Sequence, residues 1–132
     1  MTNTQLESRQ SESRQPEGRQ FSFERLVVWQ LAVEAMVQAD QVARGVGRPY
    51  GELADQLRRA SLSVVANLAE GVGKDGKDQK RFFSIARGSA CESAALMEAA
   101  SRLGLISGET HSQLRTLLLR VVGALTVLTR PS

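Results

Sequence analysis

The 132-residue sequence predicts an all-α fold, an antiparallel up-down-up-down four-helix bundle, and three features carry that expectation. Apolar residues recur every three to four positions from residue 21 onward, the period of one helix face. Leu, Val and Ala dominate while aromatic residues make up 5% of the chain, a balance that favours helix over sheet. Gly and Pro punctuate the periodic region into four pieces joined by connections of about four or five residues, short enough to make neighbouring helices antiparallel. Helices of ~20 residues are ~30 Å long, so the pieces match one another in reach.

In the first piece Ser22 is placed as an N-cap, with Phe21 and Leu26 forming a hydrophobic staple around it. Leu26, Trp29, Val33, Met36 and Ala43 then form a stripe, widened by Val28, Leu31, Ala32, Ala35 and Val42, and Gly45, Gly47 and Pro49 end it. The second helix is expected over about 51–70, with Leu53, Leu57, Ala60, Val64 and Leu68 inward and Gly71 and Gly73 as its exit. Asp75 can cap a third helix over about 76–103. Its stripe is Phe82, Ala86, Ser89, Ser93, Leu96, Ala100 and Leu103, with Phe83, Ala90 and Met97 alongside, and Gly104 is the stop. The small residues at its centre let a neighbouring helix approach closely. Ser107 can cap a fourth helix over about 108–129, where Leu114, Leu118, Val121, Leu125 and Leu128 face inward and Pro131 follows. Val27, Val28 and Leu31 on the first helix, and Leu117, Val122 and Val127 on the fourth, make the apolar faces broader than one slender bundle needs. That excess predicts self-association.

Residues 21–132 therefore form one bundle domain, large enough to bury a core without disulfides or metal. Residues 1–20 differ. They carry a five-residue repeat (Glu7-Ser8-Arg9-Gln10, Glu12-Ser13-Arg14-Gln15, Glu17-Gly18-Arg19-Gln20) with no apolar face to offset the entropy of ordering, and read as a flexible polar tail. No signal peptide is visible and no apolar run approaches the roughly 20 residues that span a bilayer, so the chain reads as cytoplasmic, with no membrane partner. Cys91, the single cysteine, lies in the small-residue run Gly88-Ser89-Ala90 and is expected to be a buried packing residue rather than a reactive thiol.

The chemistry needed for catalysis is sparse. Bundles that hold di-iron sites use helical carboxylates with Glu-x-x-His pairs, but the one histidine, His111, follows Glu109 at the wrong spacing and is expected to face solvent. Zinc sites need more Cys and His. Gly71-Val72-Gly73-Lys74 resembles part of a phosphate loop, yet it lacks the full G-x-x-x-x-G-K-[ST] pattern and follows a helix instead of a strand. The expectation is a non-enzymatic protein without cofactors.

Charge is more suggestive. The formal charge is +3, and because the acids and bases of residues 1–20 cancel, the bundle carries all of it. Arg58 and Arg59 lie midway along the second helix. Lys74, Lys77, Lys80, Arg81 and Arg87 open the third, set against Asp75 and Asp78, and Lys77, Lys80, Arg81 and Lys74 approach one helical face. Such a ridge can track phosphates, and composition alone weighs that reading equally with an ordinary solvated face. Base stacking on either cluster is not part of this expectation. Asn67 and Glu70 sit near the C-terminal end of the second helix, where a carboxylate opposes the macrodipole. A structural ion pair of Glu70 with Arg58, Arg59 or Arg87 is the expected reason.

These residues add up to a family resemblance. Phe23-Glu24-Arg25-Leu26-Val27-Val28-Trp29-Gln30 resembles the F-x-x-L-x-V-W-Q opening of the four-helix bundle proteins of the ribosomal RNA intervening-sequence type. Gln56-Leu57-Arg58-Arg59-Ala60 with Ser63-Val64-Val65-Ala66-Asn67-Leu68-Ala69-Glu70-Gly71 is similar to the family's second-helix signature. Arg81-Phe82-Phe83-Ser84-Ile85-Ala86-Arg87-Gly88-Ser89-Ala90, followed by Glu92, is similar to its third. The resemblance spans residues 21–129 in order, and departs at Val65, where the family often has proline. It implies a bundle that assembles into a ring-like homopentamer with a basic surface. It also implies kinship to the accessory variability proteins of diversity-generating retroelements, which bind a reverse transcriptase and nucleic acid. Two functions follow as expectations. One is an oligomeric accessory protein that binds RNA or DNA through Arg58, Arg59, Lys74, Lys77, Lys80, Arg81 and Arg87; the other is a protein–protein adaptor or scaffold whose basic residues serve subunit ion pairs.

Overall fold

A computed structural model of the protein describes residues 21–131, and the tail assigned to residues 1–20 lies outside the described residues. One 3₁₀ turn, η1 (Ser22–Arg25), precedes four helices: α1 (Val27–Gly45), α2 (Gly51–Val72), α3 (Gly76–Arg102) and α4 (Gly108–Leu128). Each helix packs on the next and α1 closes the ring of contacts against α4, the arrangement of an antiparallel four-helix bundle. The turn between α2 and α3 therefore shares one end of the bundle with the start of α1 and the end of α4.

The start of α1 differs from expectation. Ser22 opens the 3₁₀ turn, and Leu26, in extended backbone, holds the N-cap position of α1. Glu24 explains the shift: its carboxylate accepts the Phe21 amide at 2.8 Å while its own amide donates to the Phe21 carbonyl at 3.0 Å, closing a separate turn. Helix α2 runs through Val65 without a break and reaches Val72, two residues past the expected end. Asp75 occupies the N-cap position of α3 with no side-chain capping bond. At the far end of α3, Gly104 has φ +75° and the Leu105 amide donates to the Ala100 carbonyl at 2.9 Å, the left-handed termination glycine permits. Ser107 caps α4 as expected, its hydroxyl accepting the Thr110 amide at 3.1 Å.

The core is centred on Leu57, Val64, Leu68, Met97, Leu114, Val121 and Leu125. Helix α1 meets it with an alanine face: Ala32, Ala35, Ala39 and Ala43 are buried with Val28 and Val42, whereas Trp29, Val33 and Met36, expected at the centre of its stripe, are half-buried on its flanks. Phe83 is buried in preference to Phe82, and Leu117, read from sequence as surplus, belongs to the core. Leu103 and Leu128 are exposed instead of inward, because one is the C-cap of α3 and the other the last residue of α4, both beyond the packed turns.

Helices α2 and α3 pack tightly where Gly71 faces Phe83. A β-carbon at Gly71 would lie 2.7 Å from Phe83 Cε1 and 3.1 Å from Phe82 Cβ, whereas one at Gly123 would meet nothing within 4 Å. Gly71→Ala is expected to destabilise by about 1–3 kcal/mol through overpacking, outweighing its better helix propensity. Gly123→Ala should stabilise by roughly 0.5–1 kcal/mol. Urea unfolding checks both, with the midpoint moving in opposite directions and the slope unchanged.

Candidate nucleic-acid interface

The expected basic ridge is divided by its own neighbours. Lys74 turns back to Glu70 at 3.4 Å, and Arg81 lies 3.9 Å from Asp78 with its guanidinium carbon 4.5 Å above the Phe82 ring. Lys80 reaches across the bundle end, donating from Nζ to the Arg130 carbonyl at 2.8 Å. Arg58 bridges Asp40 on α1 and Asp55 on α2, at 3.2 and 3.6 Å, and Asp40 also holds Arg44 at 2.8 Å. Lys77 and Arg59 are exposed and make no ion pair with the described residues. The structure thus spreads the expected contacts over the α1–α2 groove, the α2–α3 groove, the α2–α3 turn and, for Arg87, the α3–α4 face, and brings only Lys74, Lys77, Lys80 and Arg81 to one end.

Glu70 pairs with Lys74, one helical turn on, and with none of Arg58, Arg59 or Arg87. The local i,i+4 geometry satisfies it before any partner from another helix is needed. Asn67 is structural: its amide donates to the Ser63 carbonyl at 2.9 Å and hydroxyl at 3.0 Å, and the Ser63 hydroxyl meets that of Ser89 on α3 at 2.8 Å. Beside this seam, Gln56, Arg59 and Glu92 line an open groove of about 360 Å³.

Further exposed basic residues lie on α3 and α4, and sequence inspection passed over most of them. Arg87 donates from Nε to Thr126 Oγ1 at 2.9 Å and so joins α3 to α4. Arg115 lines a small apolar groove with Cys91, Ala94, Leu118, Leu119 and Val122, and both Arg115 and Arg120 are exposed without an ion pair among the described residues. The available signal was composition by segment: residues 99–132 hold Arg102, Arg115, Arg120 and Arg130 against the single acid Glu109. These arginines are spaced far apart from the end of α3 to the residues after α4, and no run of charge draws the eye to them.

Two further expectations are corrected. Cys91 is exposed, since it falls on the outer face of α3 while Ala90 and Ser93 take the buried positions beside it. His111 faces inward to α3 instead of solvent: its Nε2 lies 3.0 Å from Glu98 Oε1, while Glu98 Oε2 accepts from Arg102 Nε at 3.0 Å. The Arg102 hydrogen bond chiefly, with the charge of His111 adding to it against some desolvation, holds the Glu98 carboxyl below its ordinary range. Among the described residues no three His, Cys, Asp or Glu side chains gather as a metal site, and no helix is long and apolar enough to cross a membrane.

Comparison with known proteins gives the fold a context. The model of the family described as 23S rRNA-intervening sequence protein matches residues 24–126. Among solved structures, the chain is similar to a protein of unknown function from the S23 ribosomal protein family of Bacteroides thetaiotaomicron. The TM-score is 0.73 at 19% identity, over 80% of this chain and all of that one. No curated protein matches.

The Glu98 cluster gives a pH signature. A carboxyl whose folded pKa is depressed stabilises the fold above its unfolded value, and that contribution is lost as pH falls through the folded value. Glu98→Gln is therefore expected to melt at lower temperature than wild type at neutral pH. The gap should close on acidification below the ordinary carboxylate range, as thermal unfolding across a pH series would show.

Proposed function

Because the chain belongs to the 23S rRNA-intervening sequence protein family, we propose that it is a non-enzymatic, self-associating accessory protein that binds RNA or DNA through basic helix surfaces. The observation that carries this reading is the division of charge between the two layers of the bundle. Residues 21–73, the α1–α2 layer, hold five bases and six acids; residues 74–131, the α3–α4 layer, hold nine bases and five acids. Within that second layer Lys77, Arg115 and Arg120 are not neutralised by any described carboxylate, and Arg87 is bound only to a neutral hydroxyl. Cations left in water on one side of a fold add little to stability, whereas together they attract phosphates at long range.

Self-association fits the apolar side chains that remain on the surface: Val27, Ile85, Leu119 and Val127 are each more than two-fifths exposed. A homopentameric ring would repeat the basic layer around its rim and multiply its field. A reverse transcriptase is the protein partner this reading offers, through the kinship to retroelement accessory proteins that the sequence resemblance implies, and co-purification with one tests it. The scaffold reading has one observation in its favour, since Arg58, expected to contact nucleic acid, is held by Asp40 and Asp55.

Size-exclusion chromatography with light scattering, with and without mixed RNA and DNA oligonucleotides at two salt concentrations, separates the two. Nucleic-acid binding predicts a salt-sensitive shift of a defined oligomer. Lys77→Glu, Arg115→Glu and Arg120→Glu should each weaken binding irrespective of sequence and lower the salt slope by about 1, leaving the oligomer intact. An oligomer that ignores both nucleic acids at low salt would overturn this function in favour of the scaffold.

A further inference from the structure

We propose that Phe21 and Phe23 form a stacking platform for an unpaired base of a single-stranded nucleic acid, at the end of the bundle that also carries the α2–α3 turn. The proposal rests on the nucleic-acid reading above and names the form of ligand it prefers. The two rings lie 5.5 Å apart and within 10° of parallel, and Phe23 in turn packs at 4.8 Å against Trp29. Phe21 nonetheless remains 72% exposed, so the outer face of this stack meets water. The pair is held rather than loose. The Glu24 carboxylate and amide both bond the Phe21 backbone, and the Gln30 side-chain amide donates to the Glu24 carbonyl at 2.9 Å, tying the turn to α1.

Burying so little of Phe21 gains little for folding, yet fixing it prepares a flat aromatic face with its ordering cost already met. Every base has a π-face, so such a surface stacks bases with little sequence preference, and a duplex, whose bases are already stacked on one another, cannot use it. Its position supplies the second requirement. The η1 turn packs on both α1 and α2, and because those helices are antiparallel, the stretch of α2 beside it is the one that leads into Lys74 and Lys77. Residues about 50 positions apart in sequence thus share one end of the bundle. A strand stacked on Phe21 has cations within the same end for its phosphates, the pairing of aromatic and basic groups that single-strand binders use.

Fluorescence anisotropy with single strands of about 12 nucleotides, compared with an abasic strand of the same length and with the duplex, tests this in the full chain. Wild type should bind the base-containing strand about tenfold more tightly than the abasic one. Phe21→Ala should remove that preference while leaving abasic binding and its salt dependence unchanged, and Phe21→Trp should keep it. Equal binding of base-containing and abasic strands by wild type, or an unchanged preference in Phe21→Ala, overturns the platform while the nucleic-acid reading stands. Failure of wild type to bind any of the three at low salt overturns both, and a duplex bound as tightly as the single strand also rejects the platform.

Discussion

Two helices approach closely where one or both present a small side chain, and the pairing of α2 with α3 meets that condition at several turns. Gly71 admits the Phe83 ring, Ala60 and Ser63 lie opposite the Ser89 and Glu92 side of α3, and Ala86, Ala90 and Ser93 take its buried positions. Serines in such a seam would be costly if their hydroxyls were left unpaired. They are paired: Ser93 donates to the Ser89 carbonyl at 2.9 Å, and the hydroxyls of Ser63 and Ser89 bond each other at 2.8 Å. With those hydroxyls satisfied, the seam joins α2 to α3 by close fit and by the Ser63–Ser89 hydrogen bond across it.

The charge pattern is arranged on that frame. Where an acid and a base fall one turn apart, as with Glu70 and Lys74 or Glu98 and Arg102, they meet on the surface and their fields largely cancel beyond a Debye length. Helix α4 has Glu109 as its one acid, at the first turn, so Arg115 and Arg120 farther along lack any such neighbour. The long-range field of the molecule is set by these cations together with Lys77 and its neighbours at the start of α3, where Asp75 and Asp78 offset only part of the charge.

How much of this was legible in the sequence follows the range of the interactions. Helix number, order and most ends were readable because periodicity, Gly104 and Ser107 act within a few residues. The Ser22 cap was misread because the competing partner of Phe21 was the carboxylate of Glu24, which favoured a separate turn. The inner face of α1 was misread because large apolar residues flank the alanines, and only the distance to α2 and α4 decides which set is buried. At the candidate site, the basic residues were found by type, but their partners lie across helices: Arg58 to Asp40, Arg87 to Thr126, Lys80 to Arg130. The meeting of His111 with Glu98 and of Phe21 with the lysine end likewise depends on tertiary placement that no local pattern encodes.

The alanine face of α1 has a consequence for motion. A helix that enters the core through Ala32, Ala35, Ala39 and Ala43 removes less apolar area from water per residue than α2 or α4, which enter it through leucines and valines. Local opening follows the lines of least buried area, so the bundle opens by hierarchy and not all at once. Helix α1, with the η1 turn it carries, is therefore expected to separate ahead of the leucine-lined α2 and α4. Amides of α1 then exchange with solvent ahead of those at the α2–α3 seam, and α1 is the part of the fold that a partner can displace at the smallest expense.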